Sequence, residues 1–128
     1  MILFFDRSIG TIVPQVLVRL KIPVQVEWHE KHFRYDEFDD VWLPMVGQKG
    51  WIVIGHDKKY HLMPNELMAI KQHKIGCFYL WGAEAIRWEK RHIFALAYER
   101  ILKAVAGTKK PFIFDIDKRG TLRPLATP

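Results

Sequence analysis

Four consecutive apolar residues, Ile2-Leu3-Phe4-Phe5, run directly into Asp6. The same arrangement returns at Trp51-Ile52-Val53-Ile54, which leads through Gly55 and His56 to Asp57. A short apolar run with no polar alternation has no face to give to water, so it is a strand buried on both sides. That restricts the chain to a parallel sheet covered by helices on both faces. The intervening segments agree. Gly10-Thr11 opens a helix with Thr11 as its cap, and Ile12, Val13, Val16, Leu17 and Leu20 recur at the helical period. Pro14 fits the first turn, and Pro23 precedes a second strand over 24–28. Residues 29–38 mix charges and aromatics without a period and read as a loop. Asp39 is an N-cap for a helix over 40–48, with Pro44 constraining its first turn and Gly47 and Gly50 at its end.

The second half continues the alternation. A helix opens at Pro64 or Asn65 and runs to His73, with Leu67, Met68 and Ile70 apolar, and a strand follows over 75–80. Residues 84–105 form the longest periodic segment. Ile86, Ile93, Ala97, Ile101 and Ala104 share its apolar face, and Gly107 stands at C′. The chain closes with a hairpin, Phe112–Ile116 and 121–125, turning at Asp117-Lys118-Arg119-Gly120. The expected fold is a three-layer α/β/α sandwich with a mainly parallel central sheet and a C-terminal β-hairpin. The 128 residues form one domain over 1–128, with no linker or repeat.

Composition narrows the function classes. With 49% hydrophobic and 27% charged residues, the chain can build a core and is not a disordered polyelectrolyte. A single cysteine, Cys77, excludes an internal disulfide and a Cys-rich zinc site and suits a reducing cytosol. No apolar run reaches the roughly 18 residues of a spanning helix. The opening residues lack the basic region of a signal peptide, so a cytoplasmic protein without a membrane partner is expected. Twenty Lys and Arg against 14 Asp and Glu give a net charge of +6. Such a charge attracts polyanions, of which nucleic acid is the commonest.

Against that basic background, three acids gather at one edge. Asp6 closes the first strand, Asp57 closes the third, and Asp39 opens the helix that leads into the third. Ligands of open parallel sheets bind beyond the carboxyl ends of the strands. Three neighbouring carboxylates repel one another unless a cation joins them. Mg²⁺ or Mn²⁺ takes oxygen ligands, bridges carboxylates to phosphate, stabilises charge building on phosphorus and lowers the pKa of a water it binds. Acids at an edge of a basic domain therefore point to phosphodiester hydrolysis, with caps and turns as the structural alternative for each acid taken singly.

Ile2-Leu3-Phe4-Phe5-Asp6, Asp39-Asp40-Val41-Trp42-Leu43-Pro44 and Trp51-Ile52-Val53-Ile54-Gly55-His56-Asp57-Lys58 resemble the motifs of PIN-like domains, most closely the compact VapC-related branch. The acids are spaced by 33 and 18 residues, and the resemblance covers about residues 2–82. It implies a metal-dependent endoribonuclease with Asp6, Asp39 and Asp57 as catalytic metal ligands for Mg²⁺ or Mn²⁺. It also implies the toxin of a toxin–antitoxin pair, with RNA as substrate and a small antitoxin protein as partner. The sequence departs from the family at Gly55, where Thr or Ser is usual. It also departs in an additional helix acid, for which Glu27, Asp36, Asp40 and Glu84 are the available stand-ins. Those departures keep a second reading open, an inactive PIN-like scaffold for RNA or a protein.

Other residues carry weaker expectations. Arg7 either contacts substrate phosphate or pairs an acid, and Lys58, with Lys59 and His61, is a second phosphate contact. The cluster Glu27, His29, Glu30 and His32 has zinc-binding residue types but not the helical spacing of a zinc protease, and reads as a solvated or substrate-facing loop. His56 and Asp57, neighbours on a strand, point to opposite faces and do not form a catalytic pair. Cys77 reads as a buried, inert thiol. Trp81, Trp88 and Tyr98 are able to stack bases but are expected in the core. Gly47-Gln48-Lys49-Gly50 lacks the length and the Ser or Thr of a phosphate-binding loop. A phospho-receiver would need an acidic pair after the first strand, which is absent. The apolar residues of the C-terminal hairpin, placed at a sheet edge, suggest self-association, a homodimer for instance.

Overall fold

The computed structural model describes residues 1–56, 62–82 and 87–125. Its strands are β1 (Ile2–Phe5), β2 (Gln25–Trp28), β3 (Ile52–Gly55), β4 (Gly76–Leu80), β5 (Phe112–Ile116) and β6 (Leu122–Leu125). They form one sheet in the order β2-β1-β3-β4-β5-β6. The first five are mutually parallel and β6 returns antiparallel along β5. The helices are α1 (Ile12–Arg19), α2 (His29–His32), α3 (Asp39–Gln48), α4 (Pro64–Gln72) and α5 (Arg87–Gly107).

The pleat divides the core into two layers. Leu3 and Phe5 face α1 and α5 together with Ile52, Ile54, Phe78 and Leu80, where Val13, Leu17, Ile93, Phe94, Ala97 and Ile101 cover them. Phe4, Val53, Cys77 and Tyr79 face the other way, onto Trp42, Leu43 and Val46 of α3 and Ala69 and Ile70 of α4. The apolar runs are buried on both sides, and the fold is the expected three-layer α/β/α sandwich. No helix among the described residues is long and apolar enough to cross a membrane.

Local details differ from the sequence reading. Thr11 stands at the N-cap of α1 without a side-chain cap bond, because its backbone is already helical, at φ −95° and ψ −22°. Residues 29–32 make a single helical turn, α2, rather than loop. Phe38, in extended conformation, holds the N-cap of α3, and Asp39 lies inside the first turn beside Asp40. There, acids complement the helix dipole. Pro44 consequently falls in the second turn rather than the first. Gly47 is the penultimate residue of α3, at its end as expected, and a Cβ there would approach His73 Cβ and Ile75 Cγ1 to 2.8 Å. Gly107 is the last residue of α5 rather than C′. Glu84 and Ile86 lie outside the described residues. Met68 on α4 and Trp88 on α5 are 63% and 67% exposed, because the apolar face of each helix is narrower than its apolar content, and Trp81, just past the end of β4, is 43% exposed.

The hairpin forms as expected, but Phe112, Ile113, Phe114 and Ile116 are not at the edge, since β6 covers β5. The outer strand carries exposed Arg123 and Pro124, residue types that blunt edge pairing.

Candidate active site at the carboxyl edge

Because β1 to β5 run in one direction, their carboxyl ends share an edge. Phe5 pairs Ile54, so Asp6 comes level with Gly55, and the Asp6 N–H donates to the Ile54 carbonyl at 2.9 Å. Asp6 is only 4% exposed. Its Oδ1 accepts hydrogen bonds from the Ser8 backbone N–H at 2.9 Å and from the Ser8 hydroxyl. That hydroxyl oxygen in turn accepts from the His56 N–H at 3.0 Å. Ser8 thus ties the end of β3 to the Asp6 carboxylate. The sequence reading missed it, although a hydroxyl two residues after an Asp is the spacing of a local side-chain turn.

Gly55 explains itself in the same place. A Cβ there would lie 2.5 Å from Asp6 Oδ2 and 3.1 Å from its Cγ. The Asp6 carboxylate rests over a bare backbone, in space that the Thr or Ser of the resemblance would occupy. Gly55→Thr is expected to displace Asp6 from its Ser8 bonds and to cost about 1–3 kcal/mol, as overpacking of buried sites does. Urea unfolding measures this, and an unchanged midpoint contradicts the placement of Asp6 over Gly55.

Asp39 reaches the site from α3. Its Oδ1 accepts from Trp42 Nε1, one turn along, at 3.0 Å, and from Arg7 Nη2 at 3.1 Å. Arg7 Nη1 also donates to the Tyr35 carbonyl at 3.0 Å and to the Glu37 carbonyl. Arg7, the neighbour of Asp6, therefore spans the loop before α3 and holds Asp39 to the first strand end. Of the two roles open to Arg7, the structure displays the acid partner. The side chain of Asp39 remains 25% accessible.

Asp57 and Lys58, with Lys59 and His61, lie outside the described residues. Among the described residues no three His, Cys, Asp or Glu side chains form a metal cluster. Two of the three expected ligands, Asp6 and Asp39, lie within the described residues. Both are carboxylates, both belong to the carboxyl edge, and in each Oδ1 is held by protein donors, which fixes the orientation of the group.

The neighbouring titratable groups are structural. Glu27, 6% exposed, accepts from His32 Nε2 at 2.7 Å and Lys31 Nζ at 3.1 Å. Burial alone would raise its pKa, but the hydrogen bonds and charges of His32 and Lys31 hold it below the ordinary carboxylate range. A lowered folded-state pKa stabilises the protein above the unfolded-state value, and the contribution is lost as pH falls through the folded-state pKa. Glu27→Gln should therefore lower stability by about 1 kcal/mol at neutral pH, with the gap to wild type closing in acid. Thermal melts from neutral to acidic pH check this, and a gap independent of pH contradicts it.

His29 is fully buried against Phe4, Phe33 and Trp42, with Nε2–H donating to the Arg34 carbonyl at 2.7 Å, so it is a core residue. The His56 ring is buried, and its Nδ1–H donates to the Leu80 carbonyl at 2.9 Å. Cys77 is buried as expected. Desolvation, aided by the charge of Asp6, drives its pKa far up and leaves the thiol inert.

A family model described as PIN like domain matches residues 1–82, the stretch from β1 through β4 that carries Asp6, Asp39 and Asp57. No curated protein and no solved structure matches the chain.

Proposed function

The chain belongs to the PIN-like domain family, a nuclease-type fold, and on that footing we propose that it is a metal-dependent endoribonuclease. The observation that carries the reading is the pair of oriented carboxylates, Asp6 and Asp39, at the carboxyl edge of the sheet. Asp6, Asp39 and Asp57 are the residues that would hold Mg²⁺ or Mn²⁺. Such a cation supplies charge stabilisation at the phosphoryl group and a nucleophile at neutral pH. The chain's own part is positional. Ser8 fixes Asp6, Trp42 and Arg7 fix Asp39, and the net charge of +6 draws the polyanion toward the edge. The VapC-like motif order supports a toxin of a toxin–antitoxin pair, acting in the cytoplasm and held by a small antitoxin protein.

A specific observation favours a second reading. The Arg7 guanidinium already neutralises Asp39, which suits a catalytically silent scaffold that binds RNA or a protein. Incubation of single-stranded RNA with Mn²⁺ or with EDTA separates the two. The nuclease shortens RNA only with the metal, and the scaffold in neither case.

A further inference from the structure

The carboxyl edge extends beyond the acids, to the end of β4 and on to β5, which the family match does not reach. β5 is parallel to β4, with Leu80 opposite Ile116, so Trp81 and Asp117 come level with each other. Both stand two residues beyond the level of Asp6, Gly55, Tyr79 and Asp115. Across the sheet, β4 and β5 lie two and three strand spacings from β1, roughly 10 and 14 Å. The tryptophan at the end of β4 is 43% exposed.

The turn after β5 is rigid and bears two cations. Asp117 Oδ1 accepts from the Arg119 N–H at 2.8 Å and the Thr121 N–H at 2.9 Å. Arg100 Nη1, from α5, donates to the Gly120 carbonyl at 2.9 Å. Gly120 is buried at φ +77°, so close to α5 that a Cβ would meet Leu96 Cβ at 2.8 Å. Lys118 and Arg119 are exposed on this anchored turn, and neither makes an ion pair among the described residues. The other charges at the turn are Asp117 itself, which feels both Arg119 and Arg100, and the Asp115–Arg123 pair, closed at 2.9 Å. One edge therefore carries, in order, carboxylates, a half-exposed indole and two exposed cations on a backbone held by hydrogen bonds.

We infer that Trp81, Lys118 and Arg119 form a binding track for single-stranded RNA, running from the acids along the carboxyl edge. The indole stacks an unpaired base and the turn holds phosphates further along the strand. The inference rests on the proposed nuclease reading for its choice of RNA. Stacking on one ring requires a splayed base, which duplex RNA does not offer, so the track favours single strands.

The test is binding of a labelled single-stranded RNA by fluorescence anisotropy, in EDTA so that no cleavage intervenes, at several salt concentrations. Trp81→Ala is expected to weaken binding by about 5- to 150-fold, the range of one base–aromatic stack, with the salt slope unchanged. Trp81→Phe retains most of the affinity. The Lys118→Ala/Arg119→Ala double variant is expected to reduce the slope of log K against log salt by about 1.4, two phosphate contacts on a single strand. A matched RNA duplex shows no Trp81 effect. The melting temperature of the Lys118→Ala/Arg119→Ala variant stays at the wild-type value, since both side chains are exposed, and Trp81→Phe, which keeps most of the packing of the half-buried ring, controls for stability lost in Trp81→Ala. If these variants bind like wild type while wild type cuts RNA with Mn²⁺, the track is overturned and the nuclease reading stands. If wild type binds no single-stranded RNA even at low salt, the track is likewise overturned. If the variants lose binding as stated but wild type cuts no RNA with Mn²⁺, the track stands and the nuclease reading falls.

Discussion

Replacing Asp6 by Asn should reduce metal-dependent RNA cleavage by about 10³-fold or more, while leaving the melting temperature without metal unchanged or slightly higher. The carboxamide keeps the shape of the side chain and an oxygen to accept the Ser8 bonds at the position of Oδ1. It removes the charge, and with it the cation's strongest kind of ligand. Metal-assisted charge stabilisation contributes several kcal/mol to phosphoryl chemistry, and about 4 kcal/mol corresponds to roughly 10³ in rate. If Asp39 and Asp57 share the proposed cation site with Asp6, removing one carboxylate also relieves repulsion in the absence of the ion. An Asp6 with only a structural part would behave in the opposite way, with stability lost and the rate kept. Cleavage of single-stranded RNA with Mn²⁺, beside a melt in EDTA, separates these outcomes.

Trp42→Ala should be the most damaging single change to stability, at about 3–5 kcal/mol, a large share of the roughly 5–15 kcal/mol that a domain possesses. Trp42 has no exposed surface and packs its ring against Phe4 at 5.3 Å and His29 at 5.7 Å, so truncation opens a cavity under β1. The same ring donates Nε1–H to Asp39, so the core of one layer also orients a site residue. Trp42→Phe separates the two parts. It retains most of the apolar contact, loses less stability, and leaves Asp39 with Arg7 alone. Urea unfolding reads both variants, and a Trp42→Ala midpoint equal to wild type contradicts this packing.

The sheet was legible because its signal is a composition of whole segments. Ile2-Leu3-Phe4-Phe5 offers no polar face, and only a strand between two helical layers accommodates that. Helix ends were less legible because they depend on single conformations. Asp39 has the chemistry of an N-cap, yet extended Phe38 takes the position and the Asp39 carboxylate turns to Arg7 and Trp42. Contacts far apart in sequence carry no local signature. Nothing near Gly55 announces that Asp6 Oδ2 fills the space above it, and nothing near Arg7 announces carbonyls about 30 residues on. Trp81 was expected in the core because periodicity does not register where a strand leaves the sheet and its last aromatic meets water.

Mn²⁺ titration of thermal stability tests the central claim, that Asp6 and Asp39 belong to one divalent-cation site. A ligand that binds the native state stabilises it by mass action, by about 2.7 kcal/mol at a hundred times its Kd. The wild-type midpoint is expected to climb with Mn²⁺ and to return on EDTA, while Asp6→Asn and Asp39→Asn stay flat across the same range. A wild-type midpoint indifferent to Mn²⁺, or variants that climb as steeply as wild type, would contradict the site.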